Sequence, residues 1–144
     1  PVADLHVRHS QLTGIEVDPA LAPSMIDEFP ALFVAASLAQ GRTVTRGLDE
    51  LRVKESDRLA VMAAARTAAG ARVAEREDGL VIDGTGGDPL PGTTGAIATH
   101  LDHRIAMSMA VAGLASSAGV EVDDTRPIAT SFPTFEPMLD GLSA

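Results

Sequence analysis

From about Asp102 to Ser117 the chain is apolar on nearly all sides of a helix, through Ile105, Met107, Met109, Val111 and Leu114. A helix with no polar face has to be covered all round, so other elements must wrap it. Composition limits what can do the wrapping: 45% of the 144 residues are hydrophobic but only 3% are aromatic, with no Trp or Tyr. The core is therefore made of Ala, Val, Leu, Ile and Met in close-packed helices and strands. A chain of this length buries roughly two-thirds of its unfolded surface, which suits one domain or a large piece of one.

Around that helix the hydrophobic period switches between strand and helix. Leu5, Val7, Ile15 and Val17, with Thr13-Gly14 between them, predict a hairpin or two short strands. A helix capped by Ser24 or Asp27 follows, tolerates Pro30 in its first turn, carries Phe29, Phe33 and Ala36 at helical spacing and stops at Gly41. Thr43 to Thr45 reads as strand, and a helix from about Ser56 to Ala69 closes at Gly70. Arg72 to Ala74 and Leu80 to Asp83 form a hairpin turned at Asp78-Gly79. After the buried helix come a short strand, Val120 to Val122, and a final helix opened by Phe132-Pro133-Thr134-Phe135. The element order of the first half returns in the second, so the expected fold is α+β, copies of one α-β-α-β-β unit with buried helices. The chain ends where the second copy needs closing strands, and it is expected to be a fragment.

Net charge −9 and a pI near 4.7 argue against nucleic acid, which demands a basic face and usually stacking aromatics. A small anion can still bind where arginines converge, because the field in a cleft is local. Without cysteine there are no disulfides or thiol nucleophiles, and the four histidines have no metal-ligand spacing, so no metal or cofactor is expected. No signal peptide and no apolar run of membrane-spanning length are evident, which predicts a cytoplasmic protein without membrane contact.

Three helix entrances carry charge. Asp27 stands at the first, where it either caps the helix or serves a site. At the second are Lys54, the only lysine in the chain, then Glu55 and Arg58; they form either a site or a solvated face. The third has Asp102, His103 and Arg104, with Asp102 as a cap and His103 and Arg104 either in solvent or in a site. If the repeated units are related by rotation, the three helix dipoles point at one spot, which suits a phosphorylated, carboxylated ligand.

Pro23-Ser24-Met25-Ile26-Asp27-Glu28, the run from Leu48 to Leu59 through Arg52-Val53-Lys54-Glu55-Ser56-Asp57-Arg58, Leu101-Asp102-His103-Arg104-Ile105-Ala106-Met107 and Ile128-Ala129-Thr130-Ser131-Phe132-Pro133 resemble, in order and spacing, the C-terminal half of the 5-enolpyruvylshikimate-3-phosphate synthase family. The resemblance implies an inside-out α/β barrel domain of the enolpyruvyl transferase type. On that basis residues 1–144 are most of the C-terminal domain of a two-domain enzyme, whose partner is the N-terminal domain of the same protein. The implied reaction moves the enolpyruvyl group of phosphoenolpyruvate to the 5-hydroxyl of shikimate 3-phosphate, and the fragment is expected to be inactive alone. By motif, Asp27 matches the general base and Lys54 the cation beside the same hydroxyl. Glu55 matches the acid that exchanges a proton with the methylene carbon, and Arg58 and Arg104 match the clamp for phosphoenolpyruvate, with His103 alongside as a further binding residue.

Thr130 departs from the pattern, since many members carry lysine there. The Ala-Thr-Ser-Phe-Pro form resembles the branch known for glyphosate tolerance. Two alternatives remain at this level. UDP-N-acetylglucosamine enolpyruvyl transferase shares the barrel but relies on a cysteine that this chain lacks, and a non-catalytic α/β ligand-binding module would use the same charged residues as caps.

Overall fold

Phe29 and Phe33 lie one turn apart, bury completely and meet at 5.9 Å between ring centroids. Each side chain contributes ~1.5–3 kcal/mol by leaving water, which fixes the inner face of their helix. The structure, a computed structural model, describes residues 2–143. In chain order the elements are α1 (Ala22–Met25), α2 (Phe29–Leu38), β1 (Arg42–Val44), α3 (Arg58–Ala68), β2 (Arg72–Arg76), β3 (Gly79–Asp83), α4 (His103–Leu114), α5 (Arg126–Ser131) and α6 (Phe135–Ser143). Short 3-10 turns occupy Pro19–Leu21, Ile26–Glu28 and Asp49–Val53.

The strands form an antiparallel sheet in the order β1-β3-β2, with Thr43 opposite Ile82 and Ile82 opposite Val73. That row faces inward, while Arg42, Asp83 and Arg72 form the next row outward. Helices α2 and α3 pack on the inner face, and α4 packs against both. Leu59, Met62, Leu80, Ile82, Ile105 and Met109 close the core between them. The aliphatic core expected from composition is thus present, with Phe29 and Phe33 its aromatic members.

Several expectations need correcting. Helix α4 buries Ile105, Ala106, Ser108, Met109 and Ala112 but leaves Val111 and Leu114 exposed, so one side of this apolar helix is uncovered. It also ends at Leu114, where the Ala115 N–H turns back to Ala112 and Gly113. Residues 2–17 make no hairpin; they run beside the sheet through parallel bridges Thr13–Gln40 and Glu16–Val44, and Val17 reaches the core. The Val120 to Val122 segment is likewise reduced to a bridge between Ile97 and Val122. The final helix opens after Phe132-Pro133 as expected, as α6, but the loop before it holds an unexpected short helix, α5, which ends where Phe132 leaves the helical region before Pro133.

The hairpin turn falls on Glu77-Asp78, one residue earlier than expected, with Arg76 opposite Gly79. Gly79 serves another need: a Cβ there would lie 2.1 Å from the Thr45 carbonyl oxygen, so only glycine lets the two strands approach. The run Pro19–Leu38, with mean hydropathy 1.3, is long and apolar enough to cross a membrane by length and composition, contrary to expectation. Its 20 residues are divided among four short helical pieces, carry Asp27 and Glu28 in the middle and send Phe29, Phe33 and Val34 into the core.

Candidate functional site

Arg58 is the second residue of its helix entrance and one of the most buried side chains, at 1% exposure. Asp57 caps α3 by accepting from the Ala60 N–H at 3.0 Å, which leaves Arg58 in the first turn, aimed inward toward the other helix entrances. A buried guanidinium requires anions, and three elements supply them. Its Nε donates to Asp102 Oδ2 at 2.8 Å, Nη1 to Asp27 Oδ1 at 2.8 Å, and Nη2 to Glu55 Oε2 at 2.5 Å. Burial works against the Arg58 charge, but the hydrogen bond and charge of Asp102, with Glu55 and Asp27, hold its pKa above the ordinary value.

Asp102 is fully buried and does three jobs. It caps α4 by accepting from the Arg104 N–H at 2.9 Å, it accepts from Ser56 Oγ at 2.9 Å, and it carries the Arg58 bond. Burial raises its pKa, yet Arg58, Ser56 and the Arg104 N–H together pull it below the usual carboxylate range. The approach to Asp102 is strained: His100 and Leu101 both adopt left-handed backbone, at φ 53 and 59. The turn is held because the buried Thr99 hydroxyl donates to Asp123 at 2.7 Å and the Thr99 N–H donates to the same oxygen at 2.9 Å.

Arg104 completes the cluster from α4. Its Nη1 donates to the Asp27 carbonyl at 2.9 Å, and its Nη2 stands 3.4 Å from Asp27 Oδ2. At 32% exposure its guanidinium is reachable from solvent, whereas that of Arg58 is not. Asp27 therefore bridges two arginines from different helices. It lies in the Ile26–Glu28 turn and is not the cap of α2, a position held by Glu28 without a side-chain bond. Its polar environment opens on a groove of about 240 Å³ lined by Asp27, Arg104, Met107, Val111, Phe132 and Phe135. On the other flank, Glu55 borders a space of about 510 Å³ with Ser56, Asp57 and His100.

Of the six residues singled out from sequence, the structure joins Asp27, Glu55, Arg58 and Arg104 in one ion-paired cluster. Lys54 instead pairs with Glu50, one turn back in the Asp49–Val53 segment. His103 opens α4 half-buried beside Asp102. Thr130 is exposed, its hydroxyl donating to the Pro127 carbonyl at 2.7 Å. Asp102 as the anchor of Arg58 was not foreseen, since in sequence it is indistinguishable from an ordinary cap. Its only signal was an acid at the mouth of a strongly apolar helix. Among the described residues no group of three or more His, Asp or Glu is placed to hold a metal.

A cluster with two guanidiniums, one closed and one open, and carboxylates at Asp27 and Glu55 can bind an anion and move protons beside it. A sequence profile of the EPSP synthase family (3-phosphoshikimate 1-carboxyvinyltransferase) matches residues 1–139. The chain belongs to the EPSP synthase family. The 3-phosphoshikimate 1-carboxyvinyltransferase of Novosphingobium aromaticivorans is 74% identical over 142 residues, covering 97% of this chain and 32% of that protein. The enzyme of the same name from Zymomonas mobilis is 57% identical and is matched over 100% of this chain and 32% of its own length. The solved structure of EPSP synthase from Acinetobacter baumannii superposes with a TM-score of 0.86 at 45% identity, over 93% of this chain and 31% of that one. The chain thus spans about a third of the length of the EPSP synthases it matches, and the inside-out α/β architecture expected for the family fits buried helices beneath an outer sheet.

Proposed function

We propose that this chain is most of the C-terminal domain of an EPSP synthase and supplies half of its active site. The full protein then transfers the enolpyruvyl group of phosphoenolpyruvate to the 5-hydroxyl of shikimate 3-phosphate and releases phosphate. The observation that carries this reading is the convergence of Asp27, Glu55, Arg58 and Arg104 from three helix entrances on one cluster. A structural module has no need of such convergence.

In this mechanism Arg104 is the reachable cation and takes the substrate carboxylate in its guanidinium fork. Arg58 joins the clamp only when an incoming carboxylate displaces Asp27 from its Nη1 and Glu55 from its Nη2. That exchange frees the two carboxylates together. Asp27 becomes the base for the attacking hydroxyl, and Glu55, half-exposed and once released protonated from water, delivers that proton to the methylene carbon. C2 then takes on cationic character, the oxygen adds to it, and the tetrahedral intermediate returns a methyl proton to Glu55 as it expels phosphate, which restores the C=C bond. Lys54 joins by leaving Glu50 for the substrate hydroxyl. The N-terminal domain contributes the remaining phosphate contacts and closes over the site, so the fragment alone is inactive. A cytoplasmic location goes with this reading.

Phosphate release by the full-length protein, given phosphoenolpyruvate and either shikimate 3-phosphate or UDP-N-acetylglucosamine, tests it. Release that depends on shikimate 3-phosphate is expected. Release with the sugar nucleotide moves the assignment to the other enolpyruvyl transferase, and release with neither leaves only a binding module.

A further inference from the structure

Residues 53–57 carry two of the proposed catalytic groups, yet apolar packing does not hold them. Leu51 before the segment and Leu59 after it are fully buried, whereas Val53 is 80% exposed. What spans the gap is Arg52. Its Nε donates to the Glu77 carbonyl at 2.7 Å and its Nη2 to the Arg76 carbonyl at 2.6 Å, both at the β2–β3 turn. Its Nη1 donates to Asp57 Oδ2 at 3.0 Å and to Glu75 Oε1 at 2.9 Å. One planar cation thus ties the start of the loop to the hairpin and, through Asp57, to the capped first turn of α3, where Arg58 begins.

We propose that Arg52 is a positioning residue for the reaction: it braces the five-residue loop so that Lys54 and Glu55 meet the substrate bound at Arg104. This rests on the enolpyruvyl-transfer reading. Lysine cannot replace it, because an ammonium lacks the fork that reaches two carbonyls and two carboxylates at once. Arg52 touches neither Arg104 nor Asp27 in its bonding, so ground-state binding should survive its loss while the chemical step suffers.

The test is steady-state kinetics of the full-length protein, wild type against Arg52→Ala and Arg52→Lys, with and without added guanidinium ion below denaturing concentrations. Backbone hydrogen exchange across 53–57 is followed in parallel. Expected are a kcat loss of roughly 10²-fold in Arg52→Ala, the scale of an ångström misplacement, and a KM for phosphoenolpyruvate within about threefold. Partial recovery by guanidinium, little recovery in Arg52→Lys, and faster exchange confined to the loop complete the expectation. An active wild type with unchanged kcat in Arg52→Ala overturns the proposal, as does a kcat that falls only in proportion to the folded fraction. If Arg52→Ala does not fold, Arg52→Lys decides by the same criteria. A wild type inactive with shikimate 3-phosphate overturns the functional reading and the positioning role with it; unaltered loop exchange overturns the brace itself.

Discussion

Asp102→Asn keeps the side-chain volume and can still accept from the Arg104 N–H, but it removes the charge facing Arg58. Breaking a buried ion pair from one side typically costs 3–5 kcal/mol. Arg58 keeps Asp27 and Glu55, both partly exposed, so the lower end applies, about 3 kcal/mol. The sign with pH follows from the depressed Asp102 pKa. A carboxylate held below its unfolded value of about 3.9 stabilises the fold fully above that pH, and the stabilisation is lost as pH falls through the lower folded value. Urea unfolding of the full-length protein, wild type and Asp102→Asn, at pH 7 and at steps down toward pH 3 measures the difference. It should be largest at neutral pH and shrink on acidification. A loss under about 1 kcal/mol at pH 7, or a gap that widens in acid, would refute Asp102 as the charged anchor of the site.

Other expectations follow from single contacts. Arg66 is fully buried on α3, its Nε 3.2 Å from Ser37 Oγ and its Nη1 without a hydrogen-bond partner among the described residues, and burial lowers its pKa well below the ordinary arginine value, to about 10. At ~1.4 kcal/mol per pH unit the charged form costs about 3 kcal/mol at neutral pH, so Arg66→Met should raise the thermal midpoint; a lower midpoint contradicts this. Gly84→Ala places a Cβ 2.0 Å from the Ala39 carbonyl oxygen and 2.7 Å from that of Ala36. It should destabilise by ~1–3 kcal/mol in denaturant titration, and a neutral result would mean that the backbone yields there. Arg104→Ala should raise the KM for phosphoenolpyruvate at least tenfold, more than it lowers kcat, and the reverse split would remove Arg104 from ground-state binding.

The long, periodic parts of the fold were legible in sequence because their signals are local. Phe29 and Phe33 at helical spacing, Gly70 as a stop, and the hairpin near Asp78 all act within a few residues, whereas α2 ends at Leu38, where Ala39 turns extended, short of the expected stop at Gly41. The hairpin turn was misplaced by one residue because Gly79 answers to Thr45, 34 positions away, and not to its own turn. The same distance effect explains the site. Four motifs in register mark Asp27, Glu55, Arg58 and Arg104 as related, whereas Asp27 taken alone reads equally as a cap, because the two arginines that share it lie 31 and 77 positions away. Asp102 and Glu50 stayed hidden because their partners lie on another element or pair by a side-chain choice that spacing does not dictate. The exposed side of α4 is invisible to periodicity, which reports that a face is apolar and not whether anything covers it.

The most direct measurement is phosphate release by the full-length protein with phosphoenolpyruvate and shikimate 3-phosphate, comparing wild type, Asp27→Asn, Arg104→Ala and the exposed control Arg126→Ala. Robust release in the wild type and control, with a loss of roughly 10²–10⁴-fold in kcat for Asp27→Asn and a large loss of kcat/KM in Arg104→Ala, is predicted. Equal activity in all four proteins would show that the cluster around Arg58 holds the fold together and takes no part in the chemistry.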